Sequence, residues 1–467
     1  MKITPIDRIL VNPINRFISN SIASGIVLFV ATILAMILAN SSYGTAFHHF
    51  WEQDFTIKIN NFEISRTLHH WINEGLMSIF FFVIGLELKR EIIGGELSNP
   101  KDAILPFAAG IGGMIVPVII YGFFNRNGDA SHGWGIPMAT DIAFVLAILH
   151  LLGKKVPLNL KIFLTALSIV DDLGAVLVVA LFYTNEITMN FLLSGFGFVG
   201  LLILGNLLGV RTPIFYILVG IFGVWTGFMM SGIHATVAGL VTAFTVPANV
   251  KLSDVKFVEK LKTLTKKFEK AATTDASIVT NEQLHLISEI EYYSKSAITP
   301  LQKLEHSLHP IVSFIIMPVF ALANAGIHFP PDFLATFLSP VSLGVFFGSV
   351  LGKTIGIILF CKVLVGLKWV KLPNELTWRH IYGASILGGV GFSMSLFITD
   401  LAFDQATYLL QAKMGIIFAS LICGVVGYLI LKGAKTKKEI VVPNAPLKCE
   451  EINIKRIQEN ENKNIMS

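Results

Sequence analysis

The sequence predicts an all-α polytopic membrane protein, and three observations carry that expectation. Of its 467 residues, 53% are hydrophobic and only 14% are charged, against roughly a quarter charged in a typical soluble domain. Mean hydropathy is +0.68. The apolar residues fall in runs of about 20, the length that crosses ~30 Å of hydrocarbon. The net charge of +5 is mild and needs no nucleic-acid partner. Cys361 and Cys423 lie in apolar runs and Cys449 in a polar tail, so no disulfide framework is suggested. The opening stretch, MKITPIDRILVNPINRFISN, lacks a short apolar core followed by a small-residue cleavage site. The first apolar run therefore reads as a retained span.

Twelve spans are expected, at about 19–40, 71–93, 102–124, 134–152, 160–184, 188–209, 212–230, 232–247, 308–326, 339–365, 379–400 and 407–432. Lys and Arg collect in alternate connections: Lys2, Arg8 and Arg16; Lys89, Arg90 and Lys101; Lys154, Lys155 and Lys161; Arg211; the long connection 248–303; Lys362, Lys368, Lys371 and Arg379; and the tail. The opposite set holds only Lys58, Arg66, Arg126 and Lys413. By the positive-inside rule both termini are expected in the cytoplasm. Residues 1–433 then form one transmembrane domain with a cytoplasmic insertion at 248–303, followed by a tail at 434–467 that reads as disordered.

Two connections carry structure of their own. DFTIKINNFEISR (54–66) alternates polar and apolar residues around Asn60-Asn61, which predicts a small outer β-hairpin. Within 248–303, Phe257, Val258, Leu261, Leu264 and Phe268 share one helical face among lysines. That pattern predicts a basic amphipathic helix near the inner leaflet.

Two spans are expected to be interrupted. GWGIPMATDIAFVLAIL places Pro137 just before Ala139-Thr140-Asp141, and ASILGGVGFSMSLFI bunches Gly388, Gly389 and Gly391 at mid-span. Freed backbone groups at such depth must line a cavity or be buried in protein. Paired interruptions in two halves point to a transporter with inverted repeats, here spans three to five against ten to twelve.

The charges within spans carry the functional expectation. TALSIVDDLGAVLVVALFY holds Asp171 and Asp172 at mid-span, where one Asp costs roughly 2.5–3.5 kcal/mol on the insertion scale. Consecutive residues point about 100° apart on a helix, so one can face a cavity and the other a neighbouring helix. Carboxylates this close titrate as a coupled pair and can hold a proton or a small cation in competition. The bland alternative is a buried pair that only organises the bundle. Asp141 sits at a half-helix N-terminus, where it offsets the helix dipole or binds a cation directly, with Thr140 offering a neutral oxygen. Lys353, in SLGVFFGSVLGKTIGIILF, lies about fourteen residues into its span. That is too deep to snorkel, so it needs an acidic partner, either in a permanent ion pair or in one released when the aspartates change protonation. Gly344, Gly348, Gly352 and Gly356 form a smooth stripe for close helix packing. Glu87, Lys89, Arg90 and Glu91, with Glu305, His306 and His309, suit a solvated collar as well as a pH sensor. His234 and Glu74 are equally open.

The stretches WINEGLMSIFFFVIGLELKREIIGGEL, GIPMATDIAFVLAIL, TALSIVDDLGAVLVVALFYT, SGIHATVAG, LEHSLHP, MPVFALANAG, LGKTIGI and GGVGFSMSLFI resemble the NhaA sodium/proton antiporters of bacterial inner membranes. The resemblance runs from about residue 12 to 430, and these antiporters are themselves examples of the inverted-repeat architecture. It implies electrogenic export of Na⁺ or Li⁺ in exchange for more than one inward proton, activated toward alkaline pH, with no cofactor. It implies that Asp171 and Asp172 are the cation- and proton-binding pair, that Thr140 and Asp141 mark the break, and that Lys353 pairs with the first aspartate. Glu87, Arg90, Glu91, His234, Glu305, His306 and His309 match positions tied to pH response, and the hairpin matches a homodimer contact. Glu74 stands where Asp is common, and the connection 248–303 is several-fold longer than the resemblance leads one to expect.

Other classes fit less well. An intramembrane aspartyl protease would show YD and GxGD motifs on separate helices. A prenyltransferase would carry DDxxD-type magnesium sites, whereas Asp172 is followed by Leu173-Gly174-Ala175-Val176. An open channel would be hindered by Lys353. A cation/proton antiporter preferring K⁺ stays open.

Overall fold

The computed structural model describes residues 21–434 apart from 60, 61, 96, 185, 186, 272–277 and 374. The expected disordered tail beyond 434, the basic N-terminal arm and the Asn60-Asn61 turn lie outside the described residues. Helix dominates because hydrocarbon offers no hydrogen bonds, so each segment must pair its own backbone. The chain opens with α1 (Ser21–Ala39) and α2 (Gly44–Trp51), bent 117° from one another. The expected hairpin follows as β1 (Asp54–Ile59) antiparallel to β2 (Phe62–Thr67), with Asp54 opposite Thr67 and Ile59 opposite Phe62. A π-helical turn, Trp71–Leu76, leads into α3 (Met77–Gly94).

Next come α4 (Pro100–Phe124), a 3₁₀ stretch at Asp129–Met138, α5 (Ile142–Leu152), α6 (Leu158–Phe182) and α7 (Met189–Leu207). They are followed by α8 (Pro213–Ser231), α9 (Ala235–Thr245), α10 (Asp254–Lys270), α11 (Asn281–Ala297) and α12 (Pro300–Asn324). The chain then forms α13 (Pro340–Gly366), α14 (Trp378–Leu387), α15 (Phe392–Ala402) and α16 (Ala406–Lys432). α7 exposes Leu193, Phe196, Leu204 and Leu207 along its length, a surface suited to hydrocarbon and not to water.

Among the described residues, eight helices are long and apolar enough to cross a membrane, or ten if each of two bent pairs is one span. The other two expected spans are α3, whose end carries Glu87, Lys89, Arg90 and Glu91, and α9, which has only 11 residues. The expected twelve are therefore not reached on length and apolarity. α9 can be short because its first amide is satisfied inside the protein: Glu74 Oε2 accepts from Ala235 N at 2.8 Å.

The helices sort into two groups. In the first, α3 packs on α9 so closely that Gly239 leaves no room for a Cβ against the Ser78 carbonyl, and α7, α8 and α12 pack alongside. In the second, α4 crosses α13 with Gly356 against the backbone of Gly112 and with Gly348 and Gly352 against Pro117. The glycine stripe does serve close packing. α5, α6, α14, α15 and α16 complete this group, while α1 lies against both α5 and α12.

The insertion adds a partner that its own periodicity does not announce. Its lysine-rich helix α10 forms, but the apolar face is partly covered within the insertion: Leu264 and Phe268 pack with Leu286, Ile290 and Tyr293 of α11, while Val258 is 48% exposed. The two helices form a charged antiparallel hairpin with a small core of its own.

Candidate functional site

Both interrupted spans break where proline and glycine placed the break, and the two breaks meet. In the first, the 3₁₀ stretch ends at Met138, Ala139–Asp141 run extended, and α5 begins at Ile142. In the second, α14 ends at Leu387, and α15 resumes at Phe392, bent 42°. Asp141 N donates to Val390 O at 2.7 Å, so the freed backbone of one break is satisfied by the other.

Asp141 serves both half-helix N-termini. Its Oδ1 accepts from Ala143 N at 3.1 Å and Phe144 N at 3.4 Å at the start of α5. Its Oδ2 accepts from Ser393 N at 3.0 Å, and from the Ser393 hydroxyl, at the start of α15. One carboxylate thus offsets two positive helix ends. All of its named partners lie in the two breaks, which favours the charge-compensating alternative for this residue. Ser393 was not singled out in the sequence. Its signal was available: Ser393 stands at the start of the second half-helix, as Asp141 does at the first.

The other polarity is handled one step away. Gly388 O, at the end of α14, accepts from Thr140 Oγ1 at 2.8 Å. Lys353 donates to Thr140 Oγ1 at 2.7 Å and to Asp171 Oδ2. Thr140 Oγ1 also lies 2.7 Å from Asp171 Oδ2. A hydroxyl has one proton, so Thr140 donates either to Asp171 or to Gly388 O, and can switch between them. Lys353 and Asp171 are both fully buried. The deep lysine therefore has the acidic partner it needed, and that partner is Asp171.

Asp171 and Asp172 point apart on α6, as consecutive helical residues must. Asp171 turns to Lys353 and Thr140 and uses only Oδ2, leaving Oδ1 buried and without a hydrogen-bond partner. Gly110 of α4 keeps space beside that oxygen: a Cβ there would come within 3.5 Å of it. Asp172 is 3% exposed, and its Oδ1 is likewise buried and unpartnered. Two bare carboxylate oxygens with a neutral hydroxyl nearby make a hard, oxygen-only donor set. No group of three or more His, Cys, Asp or Glu residues able to hold a metal occurs among the described residues. The donor set suits a cation that enters and leaves better than a resident one.

The collar is assembled at the end where the basic connections gather. Arg90 donates to Glu305 at 2.6 Å and to Glu91 at 2.8 Å, with Glu87 at 4.0 Å, which ties α3 to α12. His306 and His309 are exposed; His309 Nδ1 lies 3.4 Å from Ser313 Oγ. At the hairpin end, His234 Nδ1 meets Glu74 Oε1 at 2.9 Å and its Nε2 meets Tyr183 O at 2.7 Å. Glu74 thus caps α9 and holds His234. The structure brings together Thr140, Asp141, Asp171, Asp172 and Lys353, and leaves His234 and the collar as separate clusters.

A family model described as "Na+/H+ antiporter 1" matches residues 15–431. The chain belongs to this Na⁺/H⁺ antiporter family. An antiporter named NhaA from Acidithiobacillus ferrooxidans is 46% identical over 432 residues, covering 92% of this chain and 99% of that one. An NhaA antiporter of Oleidesulfovibrio alaskensis is 45% identical over 429 residues, with 92% and 95% covered. An NhaA 1 antiporter of Clostridium beijerinckii is 44% identical over 429 residues, with 92% and 97% covered. Members of the Na⁺/H⁺ antiporter family are membrane transporters and not enzymes, which disposes of the protease and prenyltransferase alternatives.

Proposed function

We propose that the protein exports Na⁺ or Li⁺ in exchange for inward protons, electrogenically and with activity rising toward alkaline pH. It would do so in a bacterial inner membrane, with both termini, the 248–303 insertion and the tail in the cytoplasm, and as a homodimer joined through the 54–66 hairpin. The observation that supports this most is the inequality of two adjacent aspartates. Each leaves its Oδ1 buried without a hydrogen-bond partner, but only Asp171 is tied down, through Oδ2, by the buried lysine and by Thr140.

The mechanism is competition for one site. In the state open to the cytoplasm, Asp172 loses its proton and binds Na⁺ with Asp171 and Thr140. Cation binding draws Asp171 away from Lys353, which lets that lysine change partner or protonation as well. The second group of helices then rocks against the first, and the higher proton activity outside displaces Na⁺. Asp141 holds the crossed breaks together throughout. Exchange of more than one proton per Na⁺ moves net charge inward, which draws about 2.3 kcal/mol per charge from each 100 mV of membrane potential. In this reading Glu87, Arg90, Glu91, His234, Glu305, His306 and His309 set the pH response.

The test is collapse of a proton gradient in everted vesicles on adding Na⁺, Li⁺ or K⁺ between about pH 6 and 9. Collapse by Na⁺ and Li⁺ that grows with pH is expected. A response to K⁺ in preference to Na⁺ would overturn the cation assigned here.

A further inference from the structure

A second polar network lies at the hairpin end, outside the site described above. Asp400, near the end of α15, bonds Lys413 of α16 with Oδ1 at 3.2 Å and accepts from Asn73 Nδ2 with Oδ2 at 3.1 Å. His69 Nε2 lies 3.6 Å from the same Oδ2 and 2.8 Å from Asn324 Oδ1. Asn324 Nδ2 donates to Asn73 Oδ1 at 2.9 Å, and Lys413 Nζ donates to Asn324 O at 3.2 Å. Asp400 and Lys413 belong to the group that carries the crossed breaks. His69, Asn73 and Asn324 belong to the other group.

The network therefore has two kinds of bond. The Asp400–Lys413 pair stays within one group and orients two charged arms. The Asn73–Asp400 and Lys413–Asn324 bonds span the seam between the groups, and His69 approaches Asp400 across it without a hydrogen bond. His234 on the backbone of Tyr183 adds another bond across the seam at the same end. At the basic end, among the described residues, the corresponding pairs stay inside a group: Arg90 with Glu305 in one, Asn159 with Glu375 in the other. Rocking of one group against the other must break bonds that cross the seam and spares those that do not.

We propose that Asp400 and Lys413, gripping Asn73 and Asn324, form a latch that closes the hairpin end of the transport path and must open once in each transport cycle. These are positioning residues. They touch no transported ion and act by setting how often the carrier faces outward. Hydrogen bonds to a charged partner hold harder than neutral ones, and because this set is at the seam its strength biases one state over the other. The inference rests on the antiport reading, and its test is separable from the test of that reading.

The experiment places cysteines at the contact in the full chain, as Asn73→Cys with Asp400→Cys, with Cys449 changed to Ser. Oxidation is expected to stop Na⁺-dependent exchange in vesicles, and a thiol reductant to restore it, while each variant with only one of the two added cysteines, which keeps the buried Cys361 and Cys423, is unaffected by oxidant. Exchange that continues in the cross-linked protein means the contact never opens, and overturns the latch. Absence of exchange in the unaltered protein would instead strike the antiport reading. If the reduced double variant does not transport, Asp400→Ala supplies a second readout. The KM for Na⁺ presented at the hairpin face should fall about tenfold, as the scarce outward-facing state gains population on losing a hydrogen bond to a charged group. The KM at the basic face should change by less than about twofold, because the populated state stays populated. A simple loss of maximal rate with both KM values unchanged is the result of a purely structural role and rejects the proposal.

Discussion

Lys353 and Arg90 are both cations bonded to carboxylates, but Lys353 is fully buried whereas Arg90 keeps 40% of its side chain exposed. Lys353 meets Asp171 Oδ2 and Thr140 from neighbouring and interrupted helices, while Asp171 Oδ1 and Asp172 Oδ1 stay buried without a partner. Around Arg90 three glutamates share one guanidinium within reach of water. Low dielectric makes every bond in the first cluster costly to lose, while solvent screens the second. In the function proposed above, the same residue types take two tasks: exchanging an ion at depth, and adjusting gradually to pH at the surface.

The contrast can be broken most severely at Asp172. Asp172→Asn should abolish exchange, by more than about 100-fold, while the protein still folds, since a neutral amide costs less in that setting than a carboxylate. Unimpaired exchange in correctly inserted protein would remove the pair from the mechanism. Lys353→Ala should lower stability by about 3–5 kcal/mol because it strands the Asp171 carboxylate. Thermal unfolding in detergent measures it, and adding Asp171→Asn should recover part of the loss. No recovery would mean the two are not energetically coupled.

Asp141→Ala should cost about 1–3 kcal/mol, since amides at two helix starts lose their acceptor. The same unfolding measurement applies, and a null effect would contradict the capping role. At the collar the expectations shrink. Arg90→Ala should cost less than about 1 kcal/mol, more weakly still at high salt, and should move the pH midpoint of exchange without lowering its maximum. Smallest of all, deleting 253–295 should move only that midpoint, through the lysines of α10 meeting anionic lipid. An unchanged pH profile would take the insertion out of regulation.

Two features of the insertion and of α9 show where local pattern misleads. The apolar face of α10 was legible as amphipathic, but periodicity does not say what covers a face; here α11 does, through Leu286. The run around α9 looked long enough to span, yet the helix starts only at Ala235 because Glu74, from α3's approach, satisfies that start. Both outcomes depend on partners distant in the chain.

What the sequence by itself determined is whatever local chemistry dictates. Apolar runs of membrane length must become helices because their backbone has no other partner. Pro137 and the Gly388–Gly391 cluster marked the two interruptions, and Asp171, Asp172 and Lys353 were costly enough at mid-span to need either partners or a role. Only the tertiary structure decided who meets whom. It chose Asp171 and not Asp172 for Lys353, gave Asp141 to the helix start at Ser393, and set Asp400 against Asn73, which is 327 residues away in the chain. Pairing in a low-dielectric interior is decided by ångström geometry between helices, and no local spacing rule carries that information.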